Sequence, residues 1–356
     1  MERGAVIALL GVGALTAGFL AGWDSPAGVV AGPAAAVAPA GREVRTWTGS
    51  GNPVTIAVAG DVNFEGDVRS EVQADPEHLF ADVAPALSGA DVTIANLETA
   101  ITDRGEPAVK AYTFRAPPQG LTALKAAGVD VVTAANNHGL DYGLDGLTDT
   151  LAAAKDTGLP IIGLGNDETE AYRPYIVEVK GQRIGVLAAS HVIDESLEAA
   201  WTAGPGKPGM ANAMIDRFDQ AVRELRSNVD TLVVYPHWGV ESQTCPSDMQ
   251  RVFTDRMYAA GADIVVGSHT HRVLGAGMHD GMFVGYGLGN FAFYVDDGPN
   301  GNTGIMTVTV TGRHVDGYDW APGRISGGLP RLLTGEEAAE AKDAWRASAE
   351  CTGLTP

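Results

Sequence analysis

Asp263-Ile264-Val265-Val266-Gly267-Ser268-His269-Thr270-His271 is a short β-branched run that stops at a glycine and then presents two imidazoles one residue apart. Such a run, bounded by turn residues, is a strand signal. Other runs end in the same way. Val54–Ala59 leads into Gly60-Asp61-Val62-Asn63, and Asp91–Ala95 into Asn96-Leu97-Glu98. Val129–Ala134 leads into Asn136-Asn137-His138, and Thr231–Tyr235 into Pro236-His237-Trp238-Gly239. Amphipathic helical stretches lie between them, which predicts strand–helix units around a largely parallel sheet. In open α/β sheets the carboxyl ends of strands face the crevice where ligands sit, so groups far apart in sequence can converge there.

Each signal alone is weak. A lone Asn-His after a strand is most often a turn, and a lone Gly-Asp says little. His269-Thr270-His271 fits packing as readily as chemistry. Their repetition at five strand ends is what points to a site. Asp, Glu, Asn and His together form an oxygen/nitrogen donor set suited to Zn, Mn or Fe rather than a thiolate centre. His78, His191, His279 and His314 follow no such pattern and are expected at the surface or in packing.

The 356 residues suit one large α/β domain with short appendages. A hydrophobic fraction of 45% excludes disorder as a description of the whole chain. Lys and Arg number 24 against 44 Asp and Glu, a formal charge of −20. That balance argues against nucleic acid as a partner, and it demands local positive charge wherever an anionic ligand is to bind. Two cysteines, Cys245 and Cys351, are too few for a zinc ribbon or a disulfide-dense scaffold.

Arg3 precedes the uncharged, apolar stretch Ala5–Leu20, so residues 1–23 read as a signal peptide or as an N-terminal membrane anchor. Cleavage after Ala36 or Ala40 fits the first alternative. Both place the remainder outside the cytoplasm, secreted or anchored to the outer face of the cell membrane. Residues 24–50, with Pro26, Pro33 and Pro39 among Ala and Gly, form a linker. The folded domain is expected over 53–313, with Ile305–Thr311 as its last strand. A tail, 314–356, follows and carries a short helix over Gly335–Ala349 packed on the domain. In an exported chain Cys245 and Cys351 are expected to pair, pinning that tail beside the loop after His237-Trp238-Gly239.

Taken in order, Gly60-Asp61, Asn96-Leu97-Glu98, Phe114-Arg115-Ala116-Pro117, Asn136-Asn137-His138, His237-Trp238-Gly239-Val240-Glu241, the His269/His271 pair and Gly287-Leu288-Gly289-Asn290-Phe291 resemble the CapA family. These are poly-γ-glutamate capsule biosynthesis proteins of the calcineurin-like metallophosphoesterase superfamily. The resemblance runs from about Val54 to Val310. It implies an α/β fold with a four-layer α/β/β/α metallophosphoesterase-like sandwich, with two divalent cations (Mn, Zn or Fe) between the strand ends. On that resemblance Asp61, Asn63 and His271 would serve one cation and Asn137, His237 and His269 the other, with Glu98 bridging. His138 would face the substrate. Asn63 stands where the superfamily supplies a histidine, and Glu98 where it usually has an aspartate.

The implied chemistry is that of a metal-dependent hydrolase. His138 would stabilise charge or protonate a leaving group, and Arg115 would clamp an anionic group. An exposed Arg115 paired with a nearby acid is the plainer alternative. Asn96, Asn136, Glu241 and Asn290 are expected behind the ligands, orienting imidazoles or meeting substrate. Asp141 and Asp145 are expected to flank and cap the helix that begins near Gly143. Two functional classes stay open: a hydrolase or transferase acting on an anionic envelope polymer such as poly-γ-glutamate or on a phosphoester, and a non-catalytic polymer-binding or export component. Membrane-bound polymer synthesis machinery is the implied partner, and nucleic acid is not. A general extracytoplasmic phosphoesterase is a further alternative.

Overall fold

The structure, a computed structural model, describes residues 49–295 and 297–356. The apolar N-terminal stretch and nearly all of the linker fall outside the described residues. Within them, no helix is long and apolar enough to cross a membrane.

Strand alternation sets the layers. In the strand Val54–Val62, Val54, Ile56 and Val58 face one way, while Ala57 and Ala59 face the other. Side chains on the first face meet their counterparts from a second sheet: Ile184, Val186, Val233, Tyr235, Ile264, Val266 and Phe283. The opposite face of the first sheet packs under helices through Val68, Val72, Leu121, Leu124 and Ala153. The opposite face of the second sheet carries Phe218, Val222, Leu225, Phe253 and Met257 from two more helices. The period of two thus sends apolar side chains to two separate cores per sheet, and the result is a four-layer α/β/β/α sandwich.

Both sheets are mixed, not largely parallel. In the first, Val54–Val62, Val92–Leu97, Val131–Thr133 and Ile161–Ile162 run parallel. Asn302–Thr311, His314–Ser326 and Leu329–Leu332 continue it antiparallel from the other edge of Val54–Val62. In the second, Gln182–Ser190, Thr231–Trp238, Ile264–Val266 and Met282–Gly285 are parallel, flanked by the antiparallel Tyr175–Val179 and Ala276–His279. Ile305–Thr311 is therefore not the last strand, and 314–334 is not a tail. His314–Ser326 is the longest strand of its sheet, but Gly317, Pro322 and Gly323, with a register shift at Thr309/Val310, break the alternation that would reveal it. Gly335–Ser348 is a helix, and Trp345 packs on Trp320 with its indole N–H donating to the Leu274 carbonyl at 3.0 Å.

Local signals place the helix that supports the second sheet. Ser247 and Gln250 form a capping box ahead of Asp248–Ala260, and Gly261, at φ 104°, ends it. Covalent closure also reaches this region, since Cys245 is joined to Cys351.

The first strand and the Gly287–Asn290 segment meet with no room to spare. Asp61 N–H donates to the Gly289 carbonyl at 3.0 Å, and a Cβ at Gly60 would lie 1.9 Å from that oxygen. Gly60→Ala is expected to destabilise the protein by about 1–3 kcal/mol, the usual cost of overpacking. Urea unfolding reads this directly, and a midpoint equal to the wild type would contradict the close approach.

Candidate metal centre

The carboxyl ends of the parallel strands of both sheets meet at one place. Asp61 ends Val54–Val62 opposite Asn96 and Asn290, and Glu98 directly follows Val92–Leu97. His237 lies at the end of Thr231–Trp238 beside Ser268, with His269 paired to Trp238. The two sheets are tied here: His269 N–H donates to Asp61 Oδ2 at 3.2 Å across 208 residues, and Tyr235 Oη donates to the Ala59 carbonyl at 3.2 Å.

Ligand-type atoms of Glu98, His237 and His269 lie within 4.8 Å of one another, and so do those of Asp61, Glu98 and His271. Glu98 belongs to both groups. Asn137 Oδ1 is 2.7 Å from His237 Nε2, and Glu98 Oε1 is 3.5 Å from the same nitrogen. His269 and His271 adopt left-handed backbone angles, φ 105° and 53°. Non-glycine residues rarely do so, and strain of this kind persists where surrounding structure enforces it, commonly at functional sites.

The chemistry of the cluster fits a divalent cation. Glu98 is fully buried, and neither of its carboxylate oxygens has a hydrogen-bond partner; His269 Nδ1 is likewise unpaired. A buried carboxylate without donors is strongly unfavourable unless a cation or proton answers it. Burial, then the negative charge of Asp61, pushes Glu98 up to about 8. Burial also pushes Asp61 upward, but the hydrogen bond from His271 and the charges of His237 and His271 outweigh it and hold Asp61 at about 2. Burial lowers His237 to about 3 and takes His269 well below the ordinary imidazole range. His271 goes the other way, to about 10, because Glu98 and Asp61 overcome its burial. The neutral imidazoles of His237 and His269 with the carboxylates are a cation-binding donor set, and His271 would have to give up its proton to join them.

Behind these groups runs a polar scaffold. Asn96 Nδ2 donates to Asp61 Oδ1 at 2.8 Å and lies 3.3 Å from His237 Nδ1. Asn96 Oδ1 accepts from Thr133 and from Asn136 Nδ2, which also donates to the Leu97 carbonyl. Asn290 Oδ1 pairs with His271 Nδ1 at 2.7 Å, and Asn290 Nδ2 donates to the Asn300 carbonyl. Asn63 is buried next to this strand end; its Oδ1 accepts from the Glu65 N–H at 3.2 Å, and its Nδ2 is unpaired.

Three sequence-based expectations change. Arg115 does not reach into the cluster as an anion clamp. Its guanidinium lies over the Tyr142 ring at 5.0 Å, whereas the preceding residue, Phe114, stacks on His138 at 4.0 Å; successive residues of an extended segment face opposite ways. Asp141 does not cap the helix Gly143–Thr157, whose N-cap position is Tyr142. It is fully buried instead, with Oδ2 at 2.6 Å from both His138 Nδ1 and the Phe114 N–H. Glu241 is exposed and orients no imidazole among the described residues; Asn96, Asn290 and Asp141 take the Nδ1 atoms of His237, His271 and His138. The placement of Asp141 three residues after His138 was a visible signal. Lys110, whose ammonium lies 3.0 Å from Asp141 Oδ1, gave none, because it sits in a loop.

Comparison with known proteins adds a family. A family model described as bacterial capsule synthesis protein PGA_cap matches residues 55–295, a span that takes in every group of the cluster. The PGA biosynthesis protein CapA of Bacillus subtilis is 28% identical over 261 residues, covering 69% of this chain and 68% of that protein. The capsule biosynthesis protein CapA of Bacillus anthracis is 29% identical over 249 residues, covering 67% of this chain and 60% of that protein. Among solved structures, the calcineurin-like phosphoesterase YfkN of Bacillus subtilis aligns with a TM-score of 0.48 at 14% identity, covering 83% of this chain and 96% of that one.

Proposed function

As the chain belongs to the bacterial capsule synthesis protein PGA_cap family, we propose that it is a CapA-like protein that uses cations held at this cluster in the synthesis or processing of poly-γ-glutamate, through hydrolase-type chemistry. The observation that carries the reading is Glu98: a buried carboxylate with both oxygens unpaired, shared by two groups of ligand atoms. That sharing supports a pair of cations with Glu98 between them, and the oxygen/nitrogen donors favour Mn, Zn or Fe. Asn137 Oδ1 would join His237 and His269 on one side, and Asp61 and His271 would hold the other.

Bound divalent cations supply Lewis-acid polarisation of a substrate oxygen. The rest of the work falls to the chain. His138 is locked by Asp141 at Nδ1 and covered by the Phe114 ring, so Nε2 is the atom left to hold or give up a proton at the leaving group. The Asn96–Asn136 scaffold keeps Asp61 and His237 from turning. With Arg115 on Tyr142 and Arg272 on Asn300, neither arginine reaches out to an anionic polymer. The cations themselves would then supply positive charge for a polyglutamate carboxylate, against a chain of net charge −20.

Binding of γ-linked oligoglutamate should therefore require added Mn(II) and disappear with a chelator. The same titration, run with hydrolysis monitored and with a chromogenic phosphodiester in parallel, separates the readings. Cation-dependent turnover of the oligoglutamate supports hydrolysis. Equal or better turnover of the diester, with no oligoglutamate binding, would assign a general phosphoesterase instead. Asn63 favours a second reading, a polymer-binding component without catalysis, because it offers no imidazole at the first strand end. Cation-dependent binding without turnover would select it. The Cys245–Cys351 disulfide and the apolar N-terminal stretch support a place outside the cytoplasm, bound to or released from the membrane, which cell fractionation checks.

A further inference from the structure

The irregular segment between Thr102 and Phe114 leaves Val109 and Tyr112 exposed but turns Lys110 inward. Lys110 has a side chain only 9% exposed. Its ammonium lies 3.0 Å from Asp141 Oδ1 and 3.9 Å from Asp194 Oδ2, donates to the main-chain carbonyl of Asn137, and sits 5.4 Å from the centre of the Trp201 ring. Burying an ammonium is unfavourable unless it is paired, and fixing a long side chain adds an entropic cost. Neutralising Asp141 alone would not need the second bond. That bond lands on Asn137, whose Oδ1 meets His237 Nε2 at 2.7 Å, and the next residue, His138, is held by the same Asp141. One ammonium thus joins the two anchor points of the turn that carries both the amide oxygen and the imidazole.

We propose that Lys110 is a positioning residue of the cation site: it fixes the Asn137–His138 turn so that Asn137 Oδ1 faces His237 while His138 stays on Asp141. The inference rests on the cation-holding reading given above. Charge and geometry make opposite demands here, which makes the role testable. A positive charge near a divalent cation repels it, so removing Lys110 should tighten cation binding if only its charge mattered. If it positions the turn, removal should weaken binding.

The test is calorimetric titration of the full chain with Mn(II), comparing wild type, Lys110→Met and Lys110→Met/Asp141→Asn. The double variant leaves no uncompensated carboxylate at position 141, so it decides the matter should the single variant fail to fold. Both variants should bind Mn(II) about 10–100-fold more weakly, the range typical for loss of a group that orients a ligand. Hydrogen exchange of the cation-free proteins supplies a second readout, with protection of the amides at 136–139 expected to fall. Lys110→Met binding Mn(II) as tightly as wild type, or more tightly, overturns the proposal. So does wild-type affinity in the double variant, or unchanged protection at 136–139. A wild-type protein that takes up no Mn(II) overturns the cation reading itself, a different failure.

Discussion

Glu98→Ala will lower Mn(II) affinity by about 100-fold or more, beyond the roughly 10–100-fold expected for a residue that only orients a ligand. Glu98 is the one group common to both sets of ligand atoms, so its loss removes a donor from each. Its removal will not weaken the cation-free fold in proportion, because the carboxylate it deletes is buried, unpaired and beside the Asp61 charge. Stability and cation affinity should therefore part company. In the wild type, Mn(II) at about 100 times its dissociation constant adds roughly 2.7 kcal/mol by mass action, visible as a raised melting temperature. In Glu98→Ala that rise should vanish while the cation-free melting temperature holds or increases. A variant that keeps the wild-type cation-induced shift would remove the ground for a Glu98-centred site.

Cys245→Ser/Cys351→Ser will cost stability of about 4–5 kcal/mol, the chain-entropy value for a loop near 100 residues. The bridge spans 106 residues, and most of its contribution lies in the unfolded chain, which it keeps from expanding. The folded end has other anchors. Thr355 and Met278 exchange two main-chain hydrogen bonds, and the Arg251 guanidinium donates to the Cys351 and Thr352 carbonyls. The double variant should accordingly keep its far-UV spectrum and its Mn(II) affinity while its urea midpoint falls. Loss of cation binding at unchanged stability would show that the bridge shapes the site rather than restraining the chain.

The strand ends were legible because they are local. An apolar run with a two-residue period states which residues are buried, and the polar group after it states where the chain leaves the sheet. Gln182–Ser190 escaped that reading, as it ends in Ser190 and His191 without a ligand at the cluster, and so did His314–Ser326, whose glycines and proline hide its alternation. Arg115 and Asp141 show a second limit. Both readings rest on residue type: an arginine as a clamp because a guanidinium forks onto anions, an aspartate before a helix as a cap. Which way each side chain points depends on the neighbours it meets. Tyr142 takes the guanidinium, and the Phe114 N–H, His138 and Lys110 take the carboxylate.

By itself the sequence determined the donor chemistry and the strand ends that carry it, since residue identity and short-range periodicity need no partner to be read. The family resemblance implied two facing sheets and a bridging Glu98; only the tertiary structure decided that both sheets are mixed, how close Glu98 lies to each ligand group, and which buried neighbour orients each imidazole. Those facts are distances between segments up to 208 residues apart, and no local pattern encodes a distance across a core.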